Sequence, residues 1–176
     1  NQLTIIKYFN EKKNIFISGP AGTGKSHVIR ILKKICESEN IKCQVTALTG
    51  CASLLLNCNA KTIHSWSGIN LVKKDFENIY KKIYKKKEKK DNWKDIQILI
   101  IDEVSMMSKN LFNLLDYIGK KIRKNESPFG GIQLVFSGDF YQLPPVNTGD
   151  DIDDSKFCFE SDLWNKTFHH SVLLDK

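Results

Sequence analysis

Residues 14–26 read Asn14-Ile15-Phe16-Ile17-Ser18-Gly19-Pro20-Ala21-Gly22-Thr23-Gly24-Lys25-Ser26. The first five are a short apolar run that stops at a glycine, the pattern of a buried strand. The next eight fit G-x-x-x-x-G-K-[ST]. From Lys25 to about Glu37, the apolar residues Val28, Ile29, Leu32 and Ile35 recur at helical spacing. Strand, glycine-rich loop and helix follow in the order a phosphate-binding loop requires. Glycines let backbone N–H groups curl around phosphate oxygens with no Cβ in the way, and the helix N-terminus adds its dipole. Lys25 is expected to reach the β- and γ-phosphates of ATP, and Ser26 to place its hydroxyl on Mg²⁺. Gly19, Ala21, Gly22, Thr23 and Gly24 complete the cradle. His27, next on the helix, is counted with the nucleotide-binding stretch without a chemical role of its own.

Outward from this loop the chain alternates strands and helices. Residues 43–48 (CQVTAL) read as a strand and 50–56 as a short helix. Residues 96–101 (IQILII) are a continuous apolar run of the kind buried on both faces of a parallel sheet. Residues 110–123 carry Leu111, Leu114, Leu115, Ile118 and Ile122 on one helical face, and 132–137 (IQLVFS) form another buried strand. Residues 157–159 and 172–174 are weaker strand candidates. The alternation predicts an α/β fold, a mostly parallel central sheet flanked by helices on both faces and joined by right-handed crossovers.

Two further strand ends carry chemistry. Leu99-Ile100-Ile101-Asp102-Glu103 is a buried strand ending in two acids. An Asp at that end meets the Mg²⁺ held by the phosphate loop. The adjacent Glu103 can orient and deprotonate an attacking water, which favours ATP hydrolysis over phosphoryl transfer to a metabolite. The strand of residues 132–137 runs into Gly138-Asp139-Phe140-Tyr141-Gln142-Leu143-Pro144-Pro145-Val146 and brings Asp139 and Gln142 to the same edge. A glutamine there can hydrogen-bond the γ-phosphate and report its loss.

Composition narrows the class. At 176 residues, 41% hydrophobic and 27% charged, the chain has the makings of one ordinary domain. No apolar run approaches the roughly 18 residues that span a membrane. The five cysteines show no C-x-x-C pair, which argues for reduced thiols rather than a zinc site. The net charge is +7, but residues 73–94 hold ten Lys against four acids, so the remainder is near neutral. Within this basic insert Phe76, Ile79 and Ile83 suggest some helix, and its centre, KKKEKK, reads as solvated and mobile. The acidic stretch 149–154 reads as a surface loop.

GPAGTGKS, LIIDEVSMMS and SGDFYQLPPV together resemble the motor core of a superfamily-one helicase. Residues 47–52 (ALTGCA) and 62–69 (TIHSWSGI) narrow the resemblance to the Pif-type (petite integration frequency) DNA helicases. It implies a RecA-like P-loop fold over residues 1–176, as one motor domain of a longer helicase, with ATP and Mg²⁺ as cofactors. It also implies single-stranded and duplex or forked DNA as partners, and a second RecA-like domain carrying the arginine fingers. Roles in replication, repair, recombination and telomere maintenance, in the nucleus and/or mitochondrion, follow from the same resemblance. Gln2, 17 residues before Gly19, resembles the family's adenine-reading glutamine. Thr49 and Gly50 would hold a DNA backbone phosphate, and His64, Trp66 and Phe140 would line the same face, with Trp66 stacking on a base. A RecD-type helicase, or an ATP-dependent switch or clamp-loader-like module that grips no DNA, are the alternative readings.

Overall fold

In the computed structural model, which describes residues 1–146 and 151–175, six strands form one sheet. They are β1 (Ile15–Ser18), β2 (Cys43–Ala47), β3 (Lys61–Thr62), β4 (Ile98–Asp102), β5 (Gln133–Gly138) and β6 (His170–Leu173). Their spatial order is β3-β2-β4-β5-β1-β6, and every neighbouring pair is parallel. The helices are α1 (Gln2–Asn10), α2 (Lys25–Ser38), α3 (Gly50–Leu56), α4 (Ile63–Ser67), α5 (Phe76–Lys85), α6 (Lys87–Asp95), α7 (Lys109–Arg123) and α8 (Trp164–Thr167).

Strand periodicity divides the core. Ile15, Ile17, Val45, Ile98, Ile100 and Val135 point to the face covered by α1, α2 and α3. Leu99, Ile101, Leu134 and Phe136 point to the other, under α4 to α7. All five residues of β4 are buried, the expected result when both faces of a parallel strand are covered. Parallel pairing puts all the strand ends that follow β1, β2, β4 and β5 on one edge of the sheet. There the phosphate loop, Thr49, the Asp102–Glu103 pair and the Asp139–Gln142 turn converge.

The basic insert departs from its reading as partly mobile. It is a helical hairpin, α5 and α6, and KKKEKK runs through the joint and into α6. Two apolar residues hold it down, Ile83 at 1% and Trp93 at 0% exposure. The Trp93 indole donates to Ser67 O at 3.0 Å, and the Arg123 guanidinium donates to the carbonyls of Trp93, Lys94 and Ile96 at 3.0, 3.1 and 2.8 Å. Asp75 caps α5 by accepting from Asn78 N. Lys81, Lys82, Lys85, Lys86 and Lys87 remain exposed.

Residues 157–159 are not a strand. Phe157 makes one antiparallel bridge to Ser108, then the chain turns at Cys158–Glu160, where Glu160 accepts from Phe157 N at 2.7 Å. In the acidic stretch, Gly149 and Asp150 lie outside the described residues. Asp153 pairs with Lys109 and Lys156, and Asp154 accepts from Asn110, so these acids hold down the start of α7.

Candidate nucleotide-binding site

The chain leaves β1 and turns through the glycine loop into α2. Gly24, at the N-cap, has φ +92°, a left-handed conformation that glycine adopts without strain. Helices α3, α4, α5 and α7 are capped by the side chains of Thr49, Thr62, Asp75 and Ser108. Helix α2 has no such side-chain cap. Its first N–H groups are therefore left for an external anion, with the helix dipole behind them. The Lys25 ammonium folds back over the loop, donating to Gly19 O at 2.5 Å and Pro20 O at 2.7 Å. Both are weak acceptors beside a phosphate oxygen, so a bound triphosphate would take the ammonium over.

Asp102 ends β4 at 8% exposure. Burial pushes its pKa above the usual aspartate value, while the Glu103 N–H, the Ser137 hydroxyl and the Lys25 charge pull the other way. A cation at Ser26 and Asp102 would offset that burial cost. Glu103 is half-buried and its pKa is also raised, first by burial and then by the Asp102 charge. Its backbone is left-handed, φ +59° and ψ +39°, a conformation costing a non-glycine residue about 1–3 kcal/mol. Such strain is concentrated at working sites, and here it turns the chain sharply between the two acids. Gly138 makes the neighbouring turn possible, since a Cβ there would lie 3.0 Å from Val104 Cγ2 and 3.1 Å from Val104 N.

Lys25, Ser26, His27, Asp102, Glu103 and Gln142 all line one open cleft of about 390 Å³. Gln2 reaches it from α1, and a Cβ on Gly24 would be 3.6 Å from Gln2 Nε2. A larger cavity of about 710 Å³ opens at the opposite edge of the sheet, among Asn10, Lys13, Gln97 and His170. It lacks a glycine loop and an acid pair, so its size does not make it the nucleotide site.

Residues 2–176 match the model of the PIF1-like helicase family. The chain belongs to that family. ATP-dependent DNA helicase PIF1 of Saccharomyces cerevisiae (strain YJM789) is 45% identical over 179 residues, covering 99% of this chain and 20% of that protein. ATP-dependent DNA helicase RRM3 of S. cerevisiae (strain ATCC 204508 / S288c) is 43% identical over 170 residues, covering 94% and 23%. The crystal structure of Pif1 helicase from Candida albicans superposes with a TM-score of 0.90 at 39% identity, covering 99% of this chain and 39% of that one. Bacteroides Pif1 in complex with ADP-AlF3 and single-stranded DNA gives 0.75 at 28%, covering 99% and 41%. The chain spans about a fifth of the length of these curated relatives. Its six-stranded parallel sheet is the RecA-like domain of PIF1-like helicases.

Within this PIF1-like domain the expected DNA contacts divide. Thr49, Gly50 and His64 follow the ends of β2 and β3, on the same edge as the nucleotide cleft. Gly50 is exposed, and burial lowers the pKa of His64, which favours the neutral imidazole. Trp66 is a correction. It is 3% exposed and its ring lies 4.9 Å from that of Trp93, so it anchors the hairpin and presents no face to a base. Phe140 is half-buried among Phe16, Phe157, Phe159 and Trp164, and its ring is committed to that cluster. Arg30, on α2, also lines the cleft. Sequence reasoning missed that, as it missed Ser105, which lines the same cleft, because a lone Arg or Ser carries no motif signal.

Proposed function

We propose that the chain is the nucleotide-binding motor domain of an ATP-dependent DNA helicase, which couples ATP hydrolysis to movement along single-stranded DNA and to unwinding of duplex and forked DNA. The observation that carries this reading is the gathering of Lys25 and Ser26, the Asp102–Glu103 pair and Gln142 around one cleft on the sheet edge that also holds Thr49, Gly50 and His64. Relatives solved with ADP-AlF3 and single-stranded DNA, and at forked DNA, support it. The PIF1-like family match displaces the RecD-type alternative.

Ser26 and Asp102 would hold Mg²⁺, and the ion would supply positive charge to offset that of the triphosphate. The chain's own residues supply the rest. The loop N–H groups and Lys25 fix the β- and γ-phosphates, Gln2 meets the base, and Glu103 orients a water and takes its proton as the oxygen attacks the γ-phosphorus and the bond to the β,γ-bridging oxygen breaks, so that ADP leaves with that electron pair and phosphate is released. Gln142, beside the γ-phosphate position, links loss of that phosphate to the turn after β5.

The test is ATP turnover by the longer protein that contains this chain, with and without single-stranded DNA. Acceleration by DNA is expected, and its absence would favour a nucleotide switch. In calorimetry, Lys25→Ala should weaken ATP binding by about tenfold or more, since a charge-assisted hydrogen bond to phosphate contributes roughly 1.5–3 kcal/mol. Unchanged affinity would overturn the phosphate-loop assignment.

The α5–α6 hairpin adds a rigid basic surface. Because Trp93 and Ile83 are buried, deleting the hairpin would disturb the core, and charge removal is the cleaner test. Replacing Lys81, Lys82, Lys85, Lys86 and Lys87 together by Gln should flatten the log–log salt dependence of DNA binding, by about 0.7 for each single-strand phosphate that these lysines neutralise. An identical slope would assign these lysines to solvent alone.

A further inference from the structure

Among the described residues, Ser137 Oγ is the one buried side-chain oxygen or nitrogen without a hydrogen-bond partner of full geometry. The residue is 0% exposed. Its position explains what it faces. The pairing of β5 with β1 sets Ser137 beside Ile17, and the pairing of β4 with β5 sets Ile101 beside Phe136, so the next residues, Asp102 and Ser137, are neighbours. On the other side of Asp102 stands Ala47. The row across four strands is therefore Ala47, Asp102, Ser137 and Ile17, two apolar residues enclosing one carboxylate and one hydroxyl.

Residues two apart on a strand share a face. Ser137 points with Val135, and Asp102 with Ile100, toward the side covered by α2. The N-terminus of α2 carries Lys25 and Ser26. Packing gives no reason for a hydroxyl here, since an orphaned buried hydroxyl costs about 1–3 kcal/mol and its neighbours in the row are otherwise apolar. Its one polar neighbour in the row is the Asp102 carboxylate, which is also held by the Glu103 N–H.

We propose that Ser137 is a positioning residue for the cation of the nucleotide site: its hydroxyl donates to the Asp102 carboxylate and orients it toward Ser26, so that the carboxylate is set to receive Mg²⁺. The inference rests on the nucleotide reading above. Hydrogen-bonded partners behind a metal-binding carboxylate fix its rotamer, and their loss commonly costs tenfold or more in metal affinity.

The experiment is a Mg²⁺ titration of fluorescent ADP binding to the chain, with a parallel measurement in EDTA. The unaltered chain must first show Mg²⁺-dependent binding; if it does not, the nucleotide reading fails and the proposal with it. Ser137→Ala should raise the Mg²⁺ concentration at half-saturation about tenfold, leave ADP affinity in EDTA unchanged, and leave the melting temperature unchanged or higher. Ser137→Cys, which keeps the volume but donates weakly, should fall between. In an Asp102→Asn background, Ser137→Ala should add nothing. An unshifted Mg²⁺ midpoint in Ser137→Ala would overturn the proposal. So would equal losses in Mg²⁺ and in EDTA, because they would make Ser137 a structural residue of the sheet.

Discussion

Glu103→Gln should leave nucleotide binding near normal and lower ATP turnover by the full-length protein by about 10²-fold or more. Glutamine keeps the size of the side chain and leaves Asp102 and Ser26 in place, but it cannot accept a proton from water. The pH profile carries a second expectation. Burial and the Asp102 charge raise the Glu103 pKa above the ordinary glutamate value. The base works only when ionised, so turnover should fall as pH drops through that raised pKa, and the acid limb should lie above the usual carboxylate range. Glu103→Gln should lose the limb together with the rate. Turnover equal to the unaltered protein would place the base elsewhere, with Asp139, which also lines the cleft, the next candidate.

The parts of this site that sequence reading found share a property. The glycine loop, the acid pair and the glutamine each sit where an apolar strand ends, so local pattern and chemistry coincide within a few residues. Parallel pairing then brings them together without further information. What escaped depended on packing between distant segments. Trp66 has the exposed neighbour Ser65 and a motif context that suggests stacking, yet Trp93, 27 positions later, covers it. The KKKEKK stretch has no apolar residue of its own, so its order comes from Ile83 before it, Trp93 after it, and Arg123 from α7. Residues 157–159 alternate like a strand but spend their alternation on stacking Phe157 against Phe159, ring centroids 5.2 Å apart. Helix α1 was not read from the sequence, and the resemblance pointed only to Gln2 at its start. Its two buried residues, Ile5 and Phe9, make too short a pattern for periodicity to settle.

The largest expected effect concerns an arginine. The 176-residue chain alone should hydrolyse ATP slowly, at less than about 1 per second even with single-stranded DNA, because an arginine finger is typically worth 10³–10⁵ in rate. The transition state gathers charge on the γ-phosphate oxygens, and the contacts proposed for it from this chain are Lys25 and Gln142, both of which line the cleft. The open side needs a second cation. The chain has two arginines. Arg123 is at the end of α7, roughly 20 Å down an axis that rises about 1.5 Å per residue, and its guanidinium is already bonded to Gly130, Trp93, Lys94 and Ile96 carbonyls. Arg30 lines the cleft but stands on α2, the same helix as Lys25, and so approaches from the side already supplied with positive charge. We therefore expect fast turnover to need an arginine from outside these residues, and a second RecA-like domain of a PIF1-like protein is the proposed source. Steady-state ATPase of the 176-residue chain and of the full-length protein, each with and without single-stranded DNA, measures the gap. Arg30→Ala should leave the slow turnover of the chain unchanged. Fast DNA-stimulated turnover by the chain that disappears in Arg30→Ala would instead make Arg30 the finger, acting within its own domain.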